Sequence, residues 1–293
     1  MILCAGEALI DMLPRTTPEG AAFLPAPGGA VFNTAVALGR LGAPVAFHSG
    51  VSTDLFGERL VAALAASGVE DRSHRSDRPT TLAFVTLTDG HAEYAFYDEG
   101  TAGRMLAPDD APPMDGVEAL FLGGISLAVE PCARAYEALG TGRPDLPLML
   151  DPNVRPGFVA DPAAYRARVA RLAARATVVK VSDEDMAWLG VTPADMLAAG
   201  TRVVCVTEGA DGVTALTAEG ETRVPARRVE VVDTVGAGDT FNAGVLASLH
   251  EQRALGHDAP PADALRRALE LGVAAAAVTV SRAGANPPRR DEL

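Results

Sequence analysis

At 293 residues and 48% hydrophobic content, the chain has enough apolar material for one large α/β domain with a buried core, which excludes a disordered chain. Its formal charge of -13 and pI near 4.8 exclude a nucleic-acid or anionic-membrane surface, since both need clustered positive charge. Lys180 is the only lysine and has neither a Walker A nor a protein-kinase context, so any use of ATP must rely on another architecture.

In chain order, Met1 to Met12 reads as one buried strand ending on the charged pair Glu7 and Asp11. A Pro/Gly-rich passage follows from Pro14 to Gly29. Val31 to Leu41 has helical spacing, Pro44 to Val51 reads as a strand, and Asp54 to Ser67 as a second helix. Thr81 to Thr88 and His91 to Tyr97 alternate around Asp89-Gly90, a strong two-residue hairpin turn, and predict an antiparallel insert.

Beyond Ala119, strands and helices alternate at βαβ spacing. Strands are predicted at Leu120 to Gly123, Leu146 to Leu150 and Val178 to Val181, with helices at Glu130 to Leu139, Pro162 to Ala174 and Glu184 to Leu189. Short strands at Arg202 to Thr207, Val213 to Thr217 and Thr222 to Val224 precede two closing helices, Ala237 to His250 and Ala262 to Arg282. The alternation predicts a mostly parallel sheet covered on both faces. The antiparallel insert is a lid or an edge extension of that sheet.

Cys4, Cys132 and Cys205 are odd in number, far apart and set in apolar surroundings, so they are expected to be reduced core residues of a cytoplasmic protein. No signal-like leader opens the chain, no apolar run approaches the ~20 residues of a membrane span, and the ending Arg-Asp-Glu-Leu293 is taken as coincidence with a retrieval signal. The five histidines show no metal-ligand spacing.

The segment Asp233-Thr-Val-Gly236-Ala237-Gly238-Asp239 carries the most chemistry. It reads as a short apolar strand leading through a small-residue turn into a helix, whose unpaired NH groups and positive dipole end can cradle an anion. Asp239 would repel phosphate if it served binding, but it suits the removal of a proton from a nucleophile attacking phosphorus. In isolation, an Asp-capped glycine turn accounts for the same residues.

Gly28-Gly29-Ala-Val-Phe-Asn33 enters a helix in the same way, and with Asp11 it offers a carboxylate and an amide to vicinal hydroxyls or, more blandly, a solvated first turn. Asp151-Pro-Asn153-Val-Arg155 follows a strand end, where Arg155 either holds a substrate group or braces the loop through Asp151. Thr207, Gly209 and Gly212 form another glycine-spaced loop at a strand end, able to meet nucleotide phosphates or to make a hairpin. Ser182 with Asp183, Glu184 and Asp185 gives a helix cap that could also hold a hydrated Mg²⁺ through water.

These segments resemble the PfkB (ribokinase-like) family of carbohydrate kinases over nearly the whole chain and in order. The first signature is Gly28-Gly29-x-x-x-Asn33-x-Ala35, continuing through Leu41-Gly42 and Gly50-x-x-x-Asp54-x-x-Gly57; the second is Asp233-Thr-x-Gly-Ala-Gly-Asp239. Gly6-Glu7-Ala-Leu-Ile-Asp11, the Asp151-Pro-Asn-x-Arg155 loop and Phe96-Tyr97 before Gly100-Thr101-Ala102 look most like the fructokinase branch.

The resemblance implies a single ribokinase-like three-layer α/β/α domain over residues 1–293, with an antiparallel β lid from segments near 12–30 and 80–104. It implies ATP-dependent phosphorylation of a primary hydroxyl, with fructose going to fructose 6-phosphate; 2-keto-3-deoxygluconate, another sugar or a nucleoside is the alternative acceptor, and a non-catalytic sensor the remaining reading. Asp239 becomes the base, with Gly236, Ala237 and Gly238 as the anion hole. Asp11, Gly28, Gly29, Asn33, Asn153 and Arg155 would meet the sugar, and Thr207, Gly209, Gly212 and Ser182 the nucleotide. Asp185 would reach Mg²⁺ through water. A monovalent cation such as K⁺ behind the anion hole and a homodimer through the lid are further implications. The chain departs from the family at Ser182-x-x-Asp185, where an Asn-x-x-Glu motif is usual, and at Asp98, where a basic residue is common.

Overall fold

The computed structural model describes residues 1–88 and 91–293. The strands and helices, in chain order, are β1 (Ile2–Ala5), β2 (Leu9–Thr17), β3 (Gly20–Gly28), α1 (Ala30–Arg40), β4 (Val45–His48), β5 (Gly50–Ser52), α2 (Leu55–Ala66), β6 (Glu70–Asp71), β7 (His74–Ser76), β8 (Leu82–Thr88) and β9 (His91–Tyr97). There follow β10 (Ala119–Gly123), α3 (Cys132–Gly142), β11 (Leu148–Asp151), α4 (Pro162–Arg175), β12 (Val178–Ser182), α5 (Asp183–Leu189), α6 (Pro193–Ala199), β13 (Val203–Thr207), β14 (Val213–Thr217), β15 (Gly220–Val224), α7 (Ala237–Glu251) and α8 (Ala262–Val280).

The central sheet runs β15-β14-β13-β12-β11-β10-β1-β4-β6. It is parallel from β13 to β6, with β14 and β15 as an antiparallel edge. Alternation along β1 shows why both faces must be covered: Ile2 and Cys4 enter one core layer with α1, α7 and α8, while Leu3 and Ala5 enter the other with α3 and α4. The fold is the expected α/β/α sandwich. All three cysteines are buried and free, and burial holds their thiols far above the usual range, as expected of reduced core residues. Among the described residues, no helix is long and apolar enough to cross a membrane.

A second sheet, ordered β3-β2-β8-β9, stands beside the first. Its existence corrects the reading of Met1 to Met12 as one strand. The chain leaves the central sheet at Gly6, where an added Cβ would fall 2.4 Å from Val31 Cγ2, and re-enters the small sheet at Leu9. The Pro/Gly-rich passage is likewise part of that sheet. β8 pairs only with Ile10 to Met12 of β2, so Pro14 lies where that side of β2 has no partner strand, and Pro25 and Pro27 lie on the edge strand β3. β8 and β9 pair antiparallel as expected, while the Asp89-Gly90 turn lies outside the described residues.

Two further differences have local causes. α6 was not anticipated, although Thr192-Pro193-Ala-Asp195 forms a capping box, a signal present in the sequence. The valines before Asp233 form no strand: Val231 and Val232 are each 60% exposed, and the segment is tied down by NH groups of Val232 and Asp233 donating to Val280 O.

α7 and α8 cross at two glycines. A Cβ on Gly244 would lie 2.6 Å from Gly272 Cα, a backbone contact that cannot yield as a side-chain tip can. Gly244→Ala is expected to cost about 1–3 kcal/mol of stability from overpacking, read as a lower urea midpoint with unchanged slope.

Candidate active site

The carboxyl ends of the parallel strands face one crevice, the usual place for a ligand in an open α/β sheet. Glu7 follows β1, Asp151 closes β11, and Ser182 and Thr207 close β12 and β13 in adjacent register. The start of α7 closes this row from one side.

Asp239 lies in the first turn of α7 and is 7% exposed. Its Oδ2 accepts from Asn33 Nδ2 at 2.9 Å, and its backbone oxygen accepts from Thr34 Oγ1 at 3.3 Å. Two signatures roughly two hundred residues apart in sequence therefore meet in one hydrogen bond. Burial pushes the carboxyl up to about 7, while the Asn33 bond and the Lys180 ammonium pull it down and Asp151 and Glu7 push it up. A carboxyl poised there can exchange a proton near neutral pH.

Gly236 supplies the left-handed turn into the helix, with φ 78°. Ala237 N donates to Thr234 O at 3.3 Å, whereas the NH groups of Gly238 and Asp239 have no acceptor among the described residues. Of the expected Gly236 to Gly238 span, the Ala237 NH is thus engaged within the turn, while that of Gly238 is left without an acceptor among the described residues. Asp233 fixes the loop by accepting from Val235 N at 3.0 Å and Gly284 N at 2.8 Å.

Asp11 approaches from the small sheet, not from the central one. A Cβ on Gly28 would fall 2.1 Å from Asp11 Oδ2, so any larger residue would have to turn the carboxylate aside, and burial raises Asp11 to about 6. Gly29, at φ 107°, is the N-cap of α1, and a Cβ there would lie 2.8 Å from Glu7 O. Glu7 is the residue whose role the sequence reading missed. Its Oε1 accepts from Ala30 N at 3.0 Å and its Oε2 from Ser126 N at 3.3 Å, so it braces the Gly28-Gly29 turn from behind.

The Asp151 loop divides. Asp151 does not pair with Arg155: its oxygens accept from Asn242 Nδ2 at 2.7 Å and Asn153 N at 3.1 Å and lie beside Lys180 Nζ. Arg155 is exposed and donates to its neighbour Val154 O at 3.1 Å, a bond within its own loop. Phe158 packs edge-on against Phe96 of β9, with centroids 4.3 Å apart, and so joins this loop to the small sheet.

Several residues expected at the nucleotide have structural duties. Ser182 Oγ donates to Asp185 Oδ2 at 2.9 Å and accepts from Asp185 N, forming the α5 capping box. Asp185 is 4% exposed, with Oδ1 accepting from Val154 N at 2.8 Å, so it is turned inward and is not placed to bind a metal directly. Gly212 is explained by packing, since a Cβ there would lie 2.2 Å from Val224 O. Thr207 and Gly209 remain at the crevice, Thr207 Oγ1 lying 3.4 Å from Val181 O. No cluster of three or more His, Cys, Asp or Glu able to hold a metal occurs among the described residues.

Comparison with known proteins agrees with this geometry. Residues 1–292 match the pfkB family carbohydrate kinase profile. A fructokinase from Rhizobium leguminosarum bv. trifolii is 52% identical over 259 residues, covering 85% of this chain and 79% of that protein. The Arabidopsis thaliana protein named probable fructokinase-6, chloroplastic is 34% identical, covering 98% of this chain and 79% of its own length. Among solved structures, a Xylella fastidiosa fructokinase with bound ATP superposes with TM-score 0.87 at 30% identity, covering 97% of this chain and 93% of that one. A Vibrio cholerae fructokinase double mutant with fructose, ADP and potassium ion bound gives TM-score 0.85 at 27% identity, with the same coverages. With the profile matched along almost its full length and both signatures meeting at Asp239, this chain belongs to the pfkB family of carbohydrate kinases.

Proposed function

We propose that the chain transfers the γ-phosphoryl of ATP to the 6-hydroxyl of fructose. The observation that carries this reading is Asp239: a buried carboxyl held near 7, in the same helix turn as the Gly238 and Asp239 NH groups that have no acceptor among the described residues. Ionised Asp239 takes the proton of the sugar hydroxyl as it attacks phosphorus in line, and Asn33 Nδ2 fixes which carboxylate oxygen faces the substrate. The NH groups of Gly238 and Asp239 meet the charge that develops on the phosphoryl oxygens. Asp11 and the Gly28-Gly29 backbone orient the sugar, and Arg155 closes on it or on the phosphoryl group. Thr207 and Gly209 lie along the nucleotide. The small sheet acts as a lid that excludes water.

Mg²⁺ enters with ATP as part of the substrate, because no carboxylate cage occurs among the described residues and Mg²⁺ keeps its waters and phosphate ligands in such sites. Asp233, which ties Val235 to Gly284, is where a monovalent cation would be held if this chain shares the potassium of the Vibrio protein. The exposed Phe23, Leu24 and Tyr97 of the lid support pairing of two copies through it. The acidic surface and the reduced core thiols support a cytoplasmic protein with small-molecule partners.

A sugar acid is disfavoured as acceptor. A carboxylate on the substrate would call for a second cation beside Arg155, and Arg104 lies 3.6 Å from Asp98 and donates to Glu130 O, so it is already engaged. ADP release is to be measured over fructose, ribose, 2-keto-3-deoxygluconate and adenosine, and fructose should show the highest kcat/KM. Preference for the sugar acid or the nucleoside would move the chain to another branch, and no ADP with any acceptor would favour a sensor.

A further inference from the structure

We propose that Lys180, the single lysine of the chain, is a positioning residue for phosphoryl transfer: its buried ammonium backs the Gly238 step of the anion cradle and, through Asp151 and Asn242, holds the helix that carries Asp239. This role rests on the phosphotransfer reading above.

Lys180 lies on β12, is 5% exposed, and places Nζ 3.3 Å from Asp151 Oδ2 and 3.5 Å from Oδ1. Asp151 Oδ2 also accepts from Asn242 Nδ2 at 2.7 Å, and Asn242 stands three residues after Asp239, almost one turn along α7. A Cβ on Gly238 would lie 3.2 Å from Nζ, so the ammonium sits against the residue whose NH lacks an acceptor among the described residues. A neutral side chain on β12 would fill the space without either connection. A structural ion pair needs only Asp151. The close approach to Gly238 is what points to the reaction.

The charge balance supports the same role. The groups facing Asp239 are Glu7 after β1, Asp151 from β11 and Lys180 from β12, with Asn33 from α1. Those facing Lys180 are Asp151, Asp185 from α5 and Asp239, with the Cys205 thiol of β13 also within its field. Burial alone would lower the Lys180 ammonium, but the three carboxylates raise it, so it stays charged. Without it, Asp151 and Glu7 would push Asp239 further toward the protonated form, and a polyanionic nucleotide would meet a purely negative crevice floor.

The test combines kinetics with a readout independent of turnover. In Lys180→Met, the acidic limb of the kcat/KM profile should move up by on the order of one pH unit, kcat at pH 7 should fall about tenfold or more, and KM for the sugar should hold within about twofold. Should that variant fail to fold, Lys180→Met combined with Asp151→Asn removes both charges of the buried pair; their opposing effects on Asp239 then cancel, so the acidic limb should stay near its wild-type position while kcat at pH 7 still falls about tenfold. In the intact protein labelled with [ε-¹³C]lysine, one resonance reports Lys180. It should shift with a midpoint near the Asp239 value of about 7 and lose that step in Asp239→Asn. An active wild type whose variants keep its pH profile and kcat, or a lysine signal with no step near neutrality, overturns the role of Lys180. A wild type that releases no ADP with any acceptor overturns the phosphotransfer reading and this role with it.

Discussion

Asp239→Asn should lose ~10²-fold or more in turnover while remaining folded, the expected loss when a positioned base is removed. The amide oxygen can still accept from Asn33 Nδ2, so the geometry of the α1–α7 contact survives and only the proton acceptor is gone. In the wild type, the base works only when ionised, so kcat/KM should climb with pH up to about 7 and level above it. The same carboxyl has a stability consequence with a definite sign. Its folded value lies above the unfolded one, so its contribution to stability is fully present below the unfolded value of roughly 4 and is lost as pH rises through about 7. Asp239→Asn is therefore expected to melt higher than the wild type at pH 8, with the gap closing toward pH 4. Melts that instead show equal destabilisation at both pH values would mean the substitution had disturbed packing, and the lost turnover would carry no information about a base.

Asp11→Ala should raise the sugar KM by ~10²-fold, since each hydrogen bond to a carboxylate is worth roughly 1.5–3 kcal/mol and two vicinal hydroxyls are at stake. The KM for ATP should stay near the wild-type value, because Asp11 comes from the small sheet while the residues proposed to meet the nucleotide lie at and beyond the end of β13. Burial places the Asp11 carboxyl at about 6, so the wild-type sugar KM should fall as pH rises through that value, whereas the variant's should be flat there. Steady-state kinetics at pH 5 and pH 7 with each substrate varied in turn separate these outcomes. An equal rise in both KM values would show that Asp11 supports the fold of the crevice and does not bind the sugar.

The parts of the site that could be read from the sequence are those encoded locally. The turn at Gly236, the carboxylate at Asp239 and the Gly28-Gly29 entry to α1 each combine a backbone requirement and a functional group within a few residues. What stayed hidden depends on register between distant segments. Lys180, Asp151 and Asn242 meet because β11 and β12 are neighbours and α7 packs over their ends, and no spacing along the chain reports that. Asn33 was legible as a crevice residue, but its bond to Asp239 across 206 residues was not. Gly212 carries a packing requirement that spacing does not report, since a Cβ there would meet the backbone of Val224 to Ala226. The break at Gly6 was missed because both halves of Met1 to Met12 are apolar. Only the half-buried Glu7, holding Ala30 N and Ser126 N, marks where the chain passes from one sheet to the other.

The central claim is that this crevice activates a sugar hydroxyl for attack on ATP, and the position of the transferred phosphorus tests it most directly. With fructose and MgATP, phosphorus–proton correlation NMR of the product should place the phosphate on C6, formed in step with ADP. Phosphate on C1, or ADP accompanied only by free inorganic phosphate, would contradict it.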